Sequence, residues 1–161
     1  LDQAPNEMID GLATFKGAGR RFEIKGTVNG IRVIDDYGHH PTEIEVTLTA
    51  ARRFAGDGHL IVIFQPHRYS RTKAFIDNFA TTLDLADEVI VLEIYAASEK
   101  PIAGISSEAI VEKMSNGRFI PNFMEAVETV VKSAKPGDVI ITLGAGDVSS
   151  LAPIIVEELA K

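Results

Sequence analysis

Two short apolar runs constrain this chain more than any other feature. His59-Leu60-Ile61-Val62-Ile63-Phe64 and Asp138-Val139-Ile140-Ile141-Thr142-Leu143 are almost wholly apolar after their first residue. A strand of that kind is covered on both faces, as in a parallel sheet flanked by helices. Each run gives way to a polar turn and then to helical spacing: Phe75, Ile76, Phe79 and Leu83 after the first, Leu151, Ile154, Ile155 and Leu159 after the second. Glu88-Val89-Ile90-Val91-Leu92 repeats the strand pattern. The expected fold is α/β: a Rossmann-like, mostly parallel sheet with helices on both faces. A chain of 161 residues supports one such domain.

Ahead of these strands the pattern changes. Phe22–Lys25 and Ile31–Asp35 flank Gly26-Thr27-Val28-Asn29-Gly30. Asn-Gly accepts positive φ at both positions, so an N-terminal antiparallel hairpin strand is expected, its partner ending at Asp35 and Asp36. Residues 1–16 carry Met8, Ile9, Leu12, Ala13 and Phe15 at helical spacing with no strand before them. They read as a linker helix closing an upstream unit, with the domain proper at 17–161. Further on, Ile44, Leu48, Ala51 and Ala55 predict a helix over 41–54, and Ser106 is placed to cap one over 108–114. A short strand is expected at Arg118-Phe119-Ile120. Asn122 with Glu125 resembles a capping box ahead of the stripe Phe123, Val127, Val130, Val131 and Ala134.

Composition narrows the partners. At 45% hydrophobic and 24% charged residues this is an ordinary globular sequence. No apolar run approaches the roughly 18–20 residues that cross a bilayer, so no membrane partner is expected. A net charge of −7 opposes general nucleic-acid binding, which needs a basic face. The chain has no cysteine, which excludes disulfides and thiolate metal sites and fits a cytoplasmic location.

The residues able to do chemistry gather where strands hand over to helices, the carboxyl edge at which such sheets bind ligands. Asp35-Asp36-Tyr37-Gly38-His39-His40-Pro41-Thr42-Glu43 follows one strand, with Pro41 suited to a first helical turn. Gln65-Pro66-His67-Arg68-Tyr69-Ser70-Arg71-Thr72 follows another. A histidine and two arginines at a helix N-terminus suit a carboxylate or phosphate, because the dipole, the free N–H groups and the guanidinium forks all favour an anion. The competing reading pairs Arg68 and Arg71 with surface acids. The loop 93–104 brings Tyr95 and Glu99 towards the same border. Gly17-Ala18-Gly19-Arg20-Arg21-Phe22 precedes a strand and lacks a third glycine, so it is no dinucleotide fingerprint. It is either a hinge with two solvated arginines or a hinge whose arginines reach a phosphate. Gly144-Ala145-Gly146-Asp147 reads as a tight strand-to-helix turn, and His59 as structural.

Taken together, the motifs at 17–22, 35–43, 64–72 and 144–147 resemble the C-terminal domain of the bacterial Mur ligases, of the type that joins L-alanine to UDP-N-acetylmuramate. The resemblance runs from around Ala13 to Lys161. It implies an enzyme of three domains: one for the UDP-sugar, a central one with the ATP-binding P-loop, and a Rossmann-like third that supplies the amino-acid acceptor site. No Gly-x-x-x-x-Gly-Lys-Ser/Thr occurs here. The implied part is therefore the third domain, with residues 1–16 closing the central ATPase domain. The N-terminal and central domains would be its partners and would hold most of the ATP and Mg2+, and this piece alone would be inactive.

The implied reaction phosphorylates the lactyl carboxylate with ATP, and the amine of L-alanine then displaces phosphate. By the same resemblance Arg21 and His39 are catalytic, with Arg21 reaching the γ-phosphate. Asp36 accepts from the ribose hydroxyls. Tyr37, His39, Arg68 and Arg71 line the pocket for the alanine carboxylate and sugar nucleotide, with His67 beside them, and no residue is a metal ligand. Only one of His39 and His40 need face the pocket, and the role goes to His39. Three alternatives stand. One is a murein-peptide recycling ligase, which tends to carry Phe-Ala at 37–38. Another is a stand-alone metal-dependent hydrolase using Asp35, Asp36, His39, His40 and His67. The third is a non-catalytic nucleotide-binding module resting on Gly144–Asp147.

Overall fold

The computed structural model describes residues 20–161, so the helix expected over 1–16 and the residues 17–19 lie outside it. In chain order the elements are β1 (Glu23–Val28), β2 (Ile31–Asp36), α1 (Pro41–Ala55), β3 (Leu60–Phe64), α2 (Tyr69–Leu83), β4 (Glu88–Val91), α3 (Glu108–Val111), β5 (Gly117–Phe119), α4 (Phe123–Ser133) and β6 (Val139–Leu143). A 3-10 turn, Asp147–Ser150, leads into α5 (Leu151–Leu159).

One six-stranded sheet runs β1-β2-β6-β3-β4-β5. β1 is antiparallel to β2, and every other neighbouring pair is parallel. The two apolar runs sit side by side at its centre as β3 and β6. Alternate side chains feed two cores. Val62, Phe64, Ile141 and Leu143 pack under Ile44 and Leu48 of α1 and Phe79 and Leu83 of α2. Ile61, Ile63 and Ile140 pack under Val127 and Val130 of α4 and Leu151 and Ile155 of α5. Burial on both faces explains why these strands carry no alternation.

Several boundaries differ from the sequence reading. β1 continues through Val28, and the turn is Asn29-Gly30 alone, both left-handed at φ 51° and 78°. A two-residue turn of this hand matches the strand twist, and a bulge between Ile24 and Gly26 shifts the register by one residue. The helix expected over 108–114 stops at Val111; Ser106 Oγ accepts from the Ala109 N–H at 3.4 Å, one weak cap for four helical residues. β5 is Gly117–Phe119, one residue earlier than expected. Asn122 caps α4 by accepting from Glu125 N at 3.0 Å, which is half of the box anticipated. α2 is kinked at Phe75 (φ −127°, ψ 20°).

Candidate functional site

The loops after β2, β3, β4 and β6 meet at one edge of the sheet, the carboxyl end of its parallel strands. There the two arginines of the 20–22 segment part company. Arg20 is held internally and only partly exposed: Nε donates to Asp35 Oδ2 at 3.0 Å, Nη2 donates to the Gly144 carbonyl at 2.8 Å, and the guanidinium lies 5.2 Å from the Tyr37 ring centroid. Asp35, fully buried, also accepts from Thr142 Oγ1 at 2.7 Å. Arg21 is exposed, its nearest ion-pair partner Glu43 Oε1 at 3.9 Å. Arg20 and Phe22 both hold positive φ, 68° and 46°, a cost of about 1–3 kcal/mol each for non-glycine residues. The segment is held there by Tyr37 N donating to Arg20 O and by Phe22 N donating to Asp36 Oδ2 at 2.7 Å.

Asp36 lies beneath the surface at 5% exposure. Besides Phe22 N it accepts from Gly38 N at 2.8 Å and from Thr47 Oγ1 at 3.1 Å. A carboxylate has about four acceptor sites, so the expected ribose contact has one left. A cavity of about 400 Å³ opens beside it, lined by Arg21, Phe22, Thr42, Glu43, Val46 and others. A Cβ on Gly38 would lie 2.8 Å from Asp36 Oδ1, so this carboxylate geometry needs glycine at 38.

The neighbouring histidines diverge. His40 is the N-cap of α1: its Nδ1 accepts from Thr42 N at 3.3 Å, and Glu43 Oε2 reaches back to His40 N at 3.2 Å. Its ring packs edge-on to Phe75 at 4.7 Å. His39 turns the other way, into a row of rings. It is 5.1 Å from Tyr37 and 5.7 Å from His67, and His67 stacks on Tyr95 at 5.5 Å with 9° between planes. Glu43 joins the halves of the site: Oε2 accepts from His39 N at 3.2 Å and lies 3.7 Å from His39 Nδ1, while Oε1 faces Arg21. Burial alone would raise its pKa, but the His39 and His40 N–H groups, then the nearby charges of His39 and Arg21, hold it below the ordinary value of 4.5.

On the other side, Arg71 Nη1 donates to His67 Nδ1 at 3.0 Å and to His67 O at 3.1 Å. Burial, then Arg71, His39 and Arg68, lower the His67 pKa below 6.5. Among the described residues neither Arg68 nor Arg71 makes an ion pair. Neither is therefore ion-paired with a surface acid, although the Arg68 charge reaches Glu99 and helps to hold that carboxyl below its ordinary value, after the Ser70 hydrogen bonds. The N–H groups of α2 are not all free, however: Glu99 receives Ser70 N at 2.9 Å and Ser70 Oγ at 2.6 Å. The chain's own carboxylate thus occupies part of the expected anion seat, leaving the guanidinium groups as what is available.

One residue of the second motif, Gln65, has no role in the sequence reading. Gln65 ties the loops together, donating to Asp147 Oδ1 at 2.8 Å and accepting from Val148 N at 3.1 Å. Gly144 and Gly146 make room for it. A Cβ on Gly144 would come within 2.7 Å of Gln65 O, and one on Gly146 would overlap Gln65 Oε1 and meet Tyr95 Cβ at 2.9 Å. The turn is glycine-rich because the Gln65 carbonyl and the side chains of Gln65 and Tyr95 fill the space above it, which disfavours a phosphate cradle. The metal-hydrolase alternative fares no better: among the described residues no three acidic or histidine side chains cluster as a metal site. Asp35 is spent on Arg20 and Thr142, and His40 on the cap.

Residues 20–146 match the family model described as "Mur ligase, glutamate ligase domain". The chain is 52% identical over 157 residues to the UDP-N-acetylmuramate–L-alanine ligase of Mycobacterium ulcerans, covering 95% of this chain and 32% of that protein. The UDP-N-acetylmuramate–alanine ligase structure from Thermotoga maritima superposes with a TM-score of 0.72 at 32% identity, over 92% of this chain and 31% of that one. A murein peptide ligase from Psychrobacter arcticus gives 0.75 at 25% identity, over 94% and 32%. The chain spans about a third of the length of the curated relatives it matches. With the family model covering most of the sequence, on the α/β sheet these structures share, the chain belongs to the Mur ligase family as its glutamate ligase domain.

Proposed function

We propose that this chain is the acceptor domain of an ATP-dependent ligase that joins L-alanine to UDP-N-acetylmuramate in peptidoglycan precursor synthesis, working in the cytoplasm. The observation that carries this is Arg68 and Arg71, neither of them ion-paired among the described residues, with Arg71 hydrogen-bonded to His67 in the row Tyr37, His39 and His67 and the Arg68 charge acting on the same ring. A guanidinium that is not held in an ion pair suits the carboxylate of an amino acid or the phosphates of a sugar nucleotide. Arg21, exposed across Glu43, is our candidate for the γ-phosphate. Asp36 serves chiefly to hold the 20–22 segment and the 36–38 turn, with its remaining acceptor site open to a ribose hydroxyl.

ATP supplies the phosphoryl group that activates the lactyl carboxylate, and Mg2+ supplies charge for that transfer. Magnesium usually keeps several waters and takes one or two carboxylates beside the phosphates. We assign its holding, and most of the contact to ATP, to the N-terminal and central domains, as the family resemblance implies. What this domain contributes is orientation: a carboxylate held by two arginines sets the amine at a fixed height over the edge of the sheet, where attack becomes effectively intramolecular. Between the two ligase types, the pair Tyr37-Gly38 favours L-alanine addition over murein-peptide recycling.

The test joins this domain to the first two domains of a working L-alanine-adding ligase and follows phosphate release with UDP-N-acetylmuramate, ATP, magnesium and a panel of amino acids. Release that requires L-alanine and, in Arg71→Ala, is lost at L-alanine concentrations that saturate the unsubstituted chimera is the expected outcome. A folded chimera that prefers a peptide acceptor would transfer the domain to the recycling type. A folded chimera silent with every acceptor would overturn the reading.

A further inference from the structure

The two pocket histidines are held in opposite tautomers, and their partners leave no choice in the matter. Arg71 can only donate, so the Nδ1 it faces on His67 must be the bare nitrogen, which puts the proton of neutral His67 on Nε2. The Tyr37 carbonyl can only accept, and it lies 3.1 Å from Nδ1 of His39. Glu43 Oε2, an acceptor too, lies 3.7 Å from the same atom. The proton of neutral His39 is therefore on Nδ1, and its Nε2 carries a lone pair. One ring offers a donor at Nε2 and the other an acceptor, 5.7 Å apart between centroids.

Resting on the function proposed above, the geometry points to His39 as the group that takes the proton from the attacking ammonium of the acceptor amino acid. An amino acid arrives near neutral pH as an ammonium with no lone pair, so it must lose a proton before it can attack. That proton passes to His39 Nε2. The freed nitrogen pair adds to the acyl carbon, the bond from that carbon to the phosphate oxygen breaks, and phosphate departs with the bonding pair. The second proton that nitrogen sheds in becoming an amide leaves on the phosphate, and His39 returns its own to water.

The groups around His39 suit this work. From α1, Glu43 stands by Nδ1 with a carboxylate already paired to two backbone N–H groups, ready to steady an imidazolium. From the loop before α2, His67 faces it with Arg71 behind, and from its own loop Tyr37 lies edge-on. His67 cannot share the task. Its bare nitrogen points at a guanidinium, so a proton there would meet a like charge at 3.0 Å. His67 is left as a fixed donor at Nε2, fit to bind the anionic end of a ligand. His40 is spent on the helix cap.

The experiment uses the chimeric ligase with His39→Asn. Asparagine keeps a donor near the position of Nδ1, and with it the bond to the Tyr37 carbonyl, and has nothing at Nε2. Two nucleophiles are compared on the same acyl phosphate: L-alanine, which needs a base, and hydroxylamine, which is already a free amine near neutral pH and traps the acyl group as a hydroxamate. L-Alanine-dependent turnover should fall by about 10²–10⁴-fold, the usual share of a positioned base, with KM for L-alanine changed only a few-fold. Hydroxamate formation should fall only a few-fold. The residual L-alanine rate should climb with pH as free amine accumulates. Equal loss with both nucleophiles would make His39 a positioning residue, and unchanged L-alanine turnover would remove it from the reaction; either overturns the inference. If the unsubstituted chimera forms no hydroxamate from UDP-N-acetylmuramate and ATP, the proposed ligase function fails first, and the inference with it.

Discussion

At the scale of single residues, the arginines of this domain separate into those that hold the fold and those that are left for a ligand. Arg20 neutralises a carboxylate with no exposure at all, whereas Arg71 touches only a histidine and its carbonyl. Removing Arg20 strands a buried charge, which costs roughly 3–5 kcal/mol where water is excluded; its own quarter exposure lets water in, so about 2–3 kcal/mol is expected for Arg20→Ala. Arg71→Ala should stay within about 0.5 kcal/mol while weakening acceptor use far more. Urea melts of the two variants check the contrast, and comparable destabilisation would make Arg71 structural. His67 gives a second prediction. Its folded pKa is depressed below 6.5, so the unfolded chain binds more protons in the interval beneath that value. The associated stability is present above 6.5 and drains away as pH falls below it. The ring should therefore titrate in NMR below its ordinary value, and Arg71→Ala, which removes one of the causes, should move it upwards. A His67 that titrates normally in the folded protein would contradict the burial and the Arg71 contact alike.

At the scale of elements, the strand-to-helix junctions do most of the functional placement. Pro41 announced the start of α1, but its cap is an imidazole, a residue rarely read as a cap from sequence. His40→Ala should cost about 1 kcal/mol, the usual loss of an N-cap, and His39→Ala much less, although the two are adjacent. Thermal melts of both variants decide it. Equal losses would mean that His39 also supports the helix. Gly146→Ala should cost about 1–3 kcal/mol, because the added methyl overlaps Gln65 and presses on Tyr95. This is also where legibility in the sequence divides. The central strands, the Asn-Gly turn and the stripe of α1 were readable because they depend on local periodicity and on backbone demands of one or two residues. Arg20 and Arg21 were not separable, since what distinguishes them is Asp35, fifteen positions away. The occupation of the α2 N-terminus by Glu99 was equally hidden, because the two segments meet only through the β3–β4 pairing and the His67–Tyr95 bridge beyond it. Tyr37, His39, His67, Arg68 and Arg71 could be nominated by residue type and position. That His39 and His67 carry opposite tautomers could not, because the atoms that decide it are a carbonyl and a guanidinium brought in by the fold.

At the scale of the whole molecule, the edge of the sheet carries groups suited to one end of a reaction. It has the guanidinium groups and two imidazoles of the proposed acceptor seat, and Arg21 exposed at its margin. It has no P-loop sequence. Phosphoryl transfer depends almost wholly on positioning and charge around the phosphates, so half a site should contribute little of the rate by itself. The 161-residue chain alone should therefore release no phosphate in response to L-alanine, even at high enzyme concentration. Joined to the other two domains, Arg21→Ala should lower kcat with KM for L-alanine little changed, since the side chain lies across Glu43 from the acceptor residues. Arg71→Ala should do the reverse and raise KM for L-alanine foremost. Steady-state kinetics with the amino acid varied at saturating ATP separate the two patterns. If both variants raised KM alike, Arg21 would belong to the acceptor site, and the division of this edge into a phosphate margin and an acceptor centre, with Glu43 between them, would have to be abandoned.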